Sequence, residues 1–267
     1  MTYRATPADG VAWVTGASAG IGRGVALELA RRGYEVHATA RRADDLRSLV
    51  EEAKGLKGLI LAAPGDVTDR QGMASVVADI ESRRPIALAF LNAGGNIPDA
   101  PGDFGGEGFA RTFALNVQGV ANSLNPVLNA MRARRRGQIA ITGSIAGYGG
   151  LPGAGAYPPS KAAVISLAVG ARFAAAPHNV TIQIVNPGYV KTPLTAANRH
   201  PMPFLMECDD ACRRICNGFE RGGFEIRFPR PLVWILKALG MLPYPAYFAL
   251  FGMGGPRGKA PDRAWPS

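Results

Sequence analysis

Val11-Ala12-Trp13-Val14-Thr15-Gly16-Ala17-Ser18-Ala19-Gly20-Ile21-Gly22 runs from a short apolar segment into a glycine-rich turn. The residues that follow place Ile21, Val25 and Leu29 at helical spacing, with Arg23, Arg31 and Arg32 elsewhere on the surface. Strand, glycine turn and amphipathic helix in that order form the context in which such glycines hold a dinucleotide's phosphates. Gly16 allows the tight turn, while Gly20 and Gly22 let a pyrophosphate approach the backbone at the helix N-terminus. Thr15 and Ser18 are placed to brace the loop. A lone glycine fingerprint is weak evidence, so the rest of the chain has to carry the reading.

Beyond this unit, apolar runs alternate with helical patterns. Val11–Val14, Glu35–Ala40, Leu59–Ala62, Ile86–Leu91, Gln138–Thr142, Thr181–Val185 and Phe224–Arg227 read as strands. Leu46, Leu49, Val50 and Ala53 mark a second helix, and Val76, Val77 and Ile80 a third. Val117–Met131 and Ala162–Phe173 read as two longer ones. Such alternation predicts βαβ units and a parallel sheet covered on both faces. No interior linker divides the 267 residues. The expected fold is α/β: a single Rossmann-type, doubly wound domain with a parallel sheet of about seven strands flanked by helices.

A second cluster lies downstream. Tyr157-Pro158-Pro159-Ser160-Lys161 puts a phenol and an ammonium on one face of a helix, and Ser144 precedes the tyrosine. Proline is tolerated in a helix's first turn, so Tyr157 is expected near the helix start, stiffened by Pro158 and Pro159. A free tyrosine titrates near ~10, and a cation ~4 Å away is worth roughly 4 kcal/mol at an effective dielectric of about 20. Lys161 is therefore expected to lower the Tyr157 pKa by about two to three. Tyr157 is the candidate acid/base for a carbonyl oxygen that Ser144 holds beside it. With the glycine turn, this implies hydride transfer with a nicotinamide cofactor.

Ala38-Thr39-Ala40-Arg41-Arg42 ends the second strand. A carboxylate there would bind the ribose diol of NAD. Arginine instead pairs with a 2′-phosphate through two hydrogen bonds, so NADP(H) is the expected cofactor.

Taken in order, these motifs and several more resemble the short-chain dehydrogenase/reductase family, in its NADP-preferring form. The resemblance spans Val11 to Thr192 and, more loosely, the rest. It rests on the Thr15–Gly22 turn, Asp66-Val67, Asn92-Ala93-Gly94, Asn116, Ser144, Tyr157 with Lys161, and Pro187-Gly188 followed by Thr192. The resemblance implies that Asp66 accepts a hydrogen bond from the adenine amino group, assisted by the Val67 backbone. It implies that Asn92, Ala93 and Gly94 steady the sheet and border the adenosine ribose, and that Ile21 joins the glycines among the cofactor contacts. Pro187, Gly188, the Val190 backbone and the Thr192 hydroxyl would hold the nicotinamide carboxamide. Lys161 would bind the nicotinamide ribose, and Asn116 would anchor a water linking Lys161 to solvent. Asn116, Ser144, Tyr157 and Lys161 thus form the expected catalytic set. The two prolines after Tyr157 depart from the family, which more often has small or polar residues there. Family members often form dimers or tetramers through the helices that correspond here to about Gly108–Arg135 and Tyr157–Ala176.

Ile145, Tyr148, Leu151, Leu194, Pro203, Phe204 and Leu205 are candidate pocket residues and mainly apolar, while Gly149, Gly150, Gly153 and Gly155 leave space. Arg199 and His200 are the polar exceptions. A neutral, hydrophobic ketone, aldehyde or alcohol is the favoured substrate. A 3-oxoacyl group on an acidic carrier is the runner-up, and an NADP(H)-sensing protein without turnover is the rival outside the enzymes. Residues 190–222 read as a substrate-loop region. Residues 228–252 form an apolar extension that Pro243 and Pro245 break into two short helices. Core or subunit packing is favoured for it over a membrane interface. Residues 254–267 read as a flexible tail.

The net charge is +10, and 47% of residues are hydrophobic. No apolar run is long enough to span a membrane, and the first residues lack a signal peptide's apolar region, so a cytoplasmic protein is expected. Arg132, Arg134, Arg135 and Arg136 read as a solvated basic helix end. No aromatic residues interleave with them, so no nucleic-acid partner is expected. Cys208, Cys212 and Cys216 repeat every four residues and read as one helix face rather than a metal site.

Overall fold

The computed structural model describes residues 3–99, 104–150, 155–196, 198 and 201–251. All seven expected strands are present, with small shifts at their ends: β1 (Val11–Thr15), β2 (Glu35–Thr39), β3 (Leu59–Ala62), β4 (Ile86–Leu91), β5 (Gly137–Thr142), β6 (Val180–Pro187) and β7 (Glu225–Phe228). They form one sheet in the order β3-β2-β1-β4-β5-β6-β7, every neighbouring pair parallel. The helices are α1 (Gly20–Arg31), α2 (Ala43–Glu52), α3 (Arg70–Arg83), α4 (Glu107–Phe113), α5 (Gly119–Ala133), α6 (Tyr157–Ala175), α7 (Pro193–Ala196), α8 (Cys208–Arg221), α9 (Arg230–Gly240) and α10 (Tyr244–Leu250).

The sheet is buried on both faces, which is why β4, β5 and β6 are buried along their whole length. On one face Val14, Val36 and Phe90 pack with Leu29 of α1, Leu46 of α2 and Ile215 of α8. On the other, Trp13, Ile139 and Ile182 pack with Met73 of α3, Val127 of α5 and Val164 of α6. Each such side chain contributes about 1.5–3 kcal/mol by leaving water. Cys212 and Cys216 belong to the first layer, on the inner face of α8 as their spacing predicts, and all three cysteines are free thiols. Gly24 is where α1 and α8 meet: a Cβ there would stand 2.5 Å from Cys212 Sγ.

The arginine run departs from the expected solvated helix end. Arg134 pairs with Glu81 at 2.6 Å and donates to the Ile86 carbonyl at 2.6 Å, fastening the end of α5 to the start of β4. Arg136 pairs with Asp9. Among the described residues, no helix is long and apolar enough to cross a membrane.

The chain builds β1 to β3 outward in one direction, then returns to lay β4 on the other side of β1. Helical connections therefore diverge at the carboxyl ends of β1 and β4, and a crevice opens there.

Candidate active site

Three strand ends are registered at the floor of this crevice. Thr15 Oγ1 accepts from the Asn92 and Ala93 backbone N–H groups at 3.0 and 3.2 Å. Thr142, at the end of β5, donates to Asn92 Oδ1 at 3.2 Å. Gly16 has φ +67°, and a Cβ there would lie 2.7 Å from Ala93 Cα. A Cβ on Gly22 would lie 2.1 Å from the Gly16 carbonyl oxygen. The turn is therefore folded tightly onto α1, whose N-terminus no side chain caps.

The cleft encloses about 290 Å³. Following the strand order, its lining passes from Arg41, Arg42, Asp66 and Val67, through Gly16, Ser18, Gly20, Ile21, Asn92, Ala93 and Gly94, to Ser144, Tyr157, Lys161, Pro187, Gly188, Val190 and Thr192. Of the residues expected to form the site, Thr15, Gly22 and Asn116 do not line the cleft but stand behind residues that do.

At the β2 end, the two arginines differ. Both are exposed, but Arg42 pairs with Asp45 in the first turn of α2. Arg41 has no ion pair among the described residues and faces the cleft. Asp66 is held by Thr68, whose backbone N–H and hydroxyl both donate to Oδ1, at 2.9 and 2.8 Å. The Val67 carbonyl accepts from Asn122 Nδ2 at 2.9 Å.

At the other end, Tyr157 opens α6 with the two prolines in its first turn. Lys161 lies one turn on and is buried; its ammonium is 5.6 Å from the Tyr157 ring centroid and donates to the Thr142 carbonyl at 2.9 Å. Ser144, two residues after Thr142, accepts from the Ala146 N–H at 3.1 Å and stands beside the Tyr157 phenol. Burial pushes that phenol up from its ordinary value, and the neighbouring Ser144 hydroxyl offsets this only in part. Burial also pulls the Lys161 ammonium down to about 8. This corrects the expectation that Lys161 lowers the Tyr157 pKa. The lysine charge is directed at a carbonyl and at the face of the ring, and desolvation is the leading cause at the phenol.

Asn116 sits in a single π-helical turn, Ala114–Gln118, between α4 and α5. Its buried carboxamide accepts from the Gly95 N–H at 2.8 Å and donates to the Gly95 carbonyl and to Ser160 Oγ, both at 2.9 Å. Ser160 in turn donates to the Tyr157 carbonyl at 2.7 Å. Asn116 thus joins the segment after β4 to the first turn of α6. A Cβ on Gly94 would lie 3.0 Å from Asn116 Oδ1 and 3.3 Å from Lys161 Nζ.

After β6, the Gly188 N–H donates to the Phe228 carbonyl at 2.7 Å. Thr195 Oγ1 accepts from the Thr192 N–H at 3.1 Å and donates to the Val190 carbonyl at 2.6 Å. A Cβ on Gly20 would come within 3.1 Å of Thr192 Cγ2, so the glycine turn and the Thr192 loop meet across the cleft.

Sequence reading misses Glu225. Its carboxylate accepts from Tyr148 OH at 2.6 Å, Asn186 Nδ2 at 2.9 Å, Arg227 at 2.6 Å and Lys237 at 2.6 Å. Burial favours the neutral acid, but hydrogen bonds from Lys237, Tyr148, Asn186 and Arg227 prevail and hold the pKa at about 2. Tyr148 ends the 3-10 turn, Ile145–Tyr148, that Ser144 caps. Asn186 lies against Gly143, where a Cβ would be 2.2 Å from Asn186 Oδ1. Glu225 therefore braces the Ser144 segment from two directions and ties it to α9.

Among the candidate pocket residues, Leu194 lines the cleft and Ile145 and Tyr148 pack with Leu232, Val233 and Leu236 of α9. Phe204 and Leu205 are exposed. Leu151, Gly153, Arg199 and His200 fall outside the described residues, as does the 254–267 tail. The described part of the 228–252 extension packs on the core through Phe228 and one face of α9, and Tyr247 of α10 donates to the Gly150 carbonyl; most of its second half is exposed.

The short chain dehydrogenase family model matches residues 10–203. An uncharacterized oxidoreductase of Myxococcus xanthus is 35% identical over 93% of this chain and 96% of its own length. A cyclohexanol dehydrogenase of Acinetobacter is 32% identical over 70% of this chain and 75% of its own. A short-chain dehydrogenase from Sphingobium yanoikuyae, solved in complex with NADPH, superposes with a TM-score of 0.77 at 24% identity, covering 95% of this chain and 99% of that one. The chain belongs to the short-chain dehydrogenase family, whose members are oxidoreductases on a nucleotide-binding Rossmann fold.

Proposed function

We propose that the protein is an NADP(H)-dependent oxidoreductase that interconverts a hydrophobic carbonyl compound and its alcohol, with Tyr157 as acid and base. The observation that carries this is the convergence of Ser144, Tyr157 and Lys161 on one cleft that also receives the uncapped N-terminus of α1.

The residues present fit a dinucleotide. The compressed glycine turn leaves α1 N–H groups for a pyrophosphate, Arg41 is free for a 2′-phosphate, and Asp66 keeps Oδ2 without a protein partner among the described residues. Gly16, Ser18, Gly20, Ile21 and Gly22 would form the phosphate side. Asn92, Ala93 and Gly94 would border the ribose, and Pro187, Gly188, Val190 and Thr192 the nicotinamide. When bound, that cofactor supplies or accepts a hydride.

The chain's own part is to hold the substrate oxygen and move a proton. Burial keeps the Tyr157 phenol protonated at neutral pH, the form that gives a proton to a carbonyl oxygen. Ser144 holds that oxygen beside the phenol. Lys161, with a pKa of about 8, changes charge near neutral pH and can return the proton. Asn116 fixes the wall behind Lys161. Ile145, Leu194 and the inner face of α9 suit a neutral, apolar substrate. The protein is further proposed to be cytoplasmic and to assemble as a homodimer or homotetramer; the exposed Phe173 and Val169 on α6 support a subunit contact.

The test is cofactor oxidation against apolar ketones, aldehydes and 3-oxoacyl carrier thioesters, in wild type and Tyr157→Phe. The variant is expected to keep NADPH binding and lose turnover by ~10²–10⁴-fold. Near wild-type kcat in Tyr157→Phe would remove Tyr157 from its role. Turnover of carrier thioesters alone would replace the substrate class.

A further inference from the structure

Helix α9 is apolar on both sides. Leu232, Val233 and Leu236 pack inward on Ile145, Tyr148 and Tyr189. On the opposite side, Trp234 and Ile235 stand in solvent, and the apolar surface continues through Met241 (85% exposed), Tyr244 (77% exposed), Phe248 and Leu250. Tyr244 and Phe248 stack, with ring centroids 6.0 Å apart. An isolated exposed leucine means little, but a contiguous apolar face on two successive helices needs a partner.

The charges around this face indicate which partner. Between Glu225 and Phe251 the sequence has no acidic residue, while Arg227, Arg230 and Lys237 are cationic. From Ala238 to Pro256 there is no charge at all. Glu225 is already paired with Arg227 and Lys237. The Arg227 guanidinium lies 5.3 Å from the Trp234 ring centroid, so a cation borders the apolar face directly. A second copy docking through this face about a twofold axis would bring two cationic rims together with no carboxylate of this segment beyond the already paired Glu225. An anionic lipid surface supplies the missing negative charge and accepts Trp, Tyr and Leu side chains at its interface.

We infer that the α9–α10 face docks on an anionic membrane surface, lying in the interfacial plane rather than crossing it. The inner side of the same helix packs on Ile145, next to Ser144. The docked protein would therefore hold the substrate side of its cleft close to the lipid.

The experiment is flotation of the full chain with phosphatidylcholine vesicles, with and without phosphatidylglycerol, alongside an Ile235→Ser/Met241→Ser double variant. Both side chains are exposed, so the variant should melt as the wild type does. The wild type is expected to float with the anionic vesicles, to be released by high salt, and to bind neutral vesicles about tenfold less. The double variant should lose about tenfold in partitioning. Failure to float with anionic vesicles, or equal flotation of the variant, overturns the inference. So does a wild-type oligomer that fails to float and that the variant dissociates, since the face would then belong to a second copy.

Discussion

The Lys161 ammonium donates to the Thr142 main-chain oxygen at 2.9 Å, anchoring a buried cation to the strand end that leads into Ser144. Its pKa falls from the ordinary 10.5 to about 8 because burial penalises the charged form. A base with a depressed folded-state pKa lowers stability while it is charged. That penalty is complete below pH 8 and fades as pH rises to 10.5. Lys161→Met should therefore be more stable than wild type at neutral pH by roughly 1–2 kcal/mol, less than the pKa change alone gives because Thr142 loses its donor. Denaturant melts should show the gap closing as pH rises above 8. Turnover should be lost in the same variant.

Arg41 and Arg42 are adjacent in sequence, but among the described residues only Arg42 has a carboxylate partner. Removing Arg41 should cost a 2′-phosphate its charge-assisted hydrogen bonds, about 1.5–3 kcal/mol, or ten- to hundredfold in kcat/KM for NADPH. Arg42→Ala should change that value several times less. Steady-state kinetics with NADPH and NADH check both, and a wild-type preference for NADH would end the NADP(H) assignment.

Glu225→Gln keeps the side-chain shape but leaves Lys237 and Arg227 without their anion. The folded-state pKa of about 2 lies below the ordinary 4.5, so the carboxylate's contribution is present above pH 4.5 and lost as pH falls through 2. After allowance for solvent screening, the variant should lose about 2 kcal/mol at neutral pH. Its deficit should shrink in melts as pH falls below 4.5. Because Tyr148 and Asn186 flank Ser144, kcat should fall while NADPH affinity holds.

Gly143→Ala places a Cβ 2.2 Å from Asn186 Oδ1, a distance that forces a shift in the residue before Ser144. Overpacking of this kind costs about 1–3 kcal/mol. A thermal melt should show that loss. Kinetics should show a larger fall in kcat than in cofactor affinity, since Gly143 adjoins Ser144 while β4 separates it from the glycine turn.

The strands and helices were legible because a doubly covered parallel sheet writes continuous apolar runs such as Ile86–Leu91 between amphipathic helices such as Gly20–Arg31. The start of α6 was legible because Pro158 and Pro159 fit only a first turn. Glu225 was hidden because its donors come from β6, β7, α9 and the turn after Ser144, and no local spacing records that meeting. The direction of the Tyr157 shift was misread for a related reason. Spacing gives the distance between two groups along a helix, but desolvation depends on everything packed around them. The role of Arg134 was hidden likewise, since Glu81 lies on another helix.

The π turn at Ala114–Gln118 holds one residue more than a regular helix of the same rise. Deleting a residue there would close the turn into an unbroken α-helical ladder, leave the flanking helices in register and shift the positions of the residues within the turn itself. The product would be a smoother helix in which Asn116 no longer meets Gly95 and Ser160 together. This stretch is therefore constrained in its residue count as well as its chemistry: an in-frame deletion that improves the helix by every local measure would take the site apart.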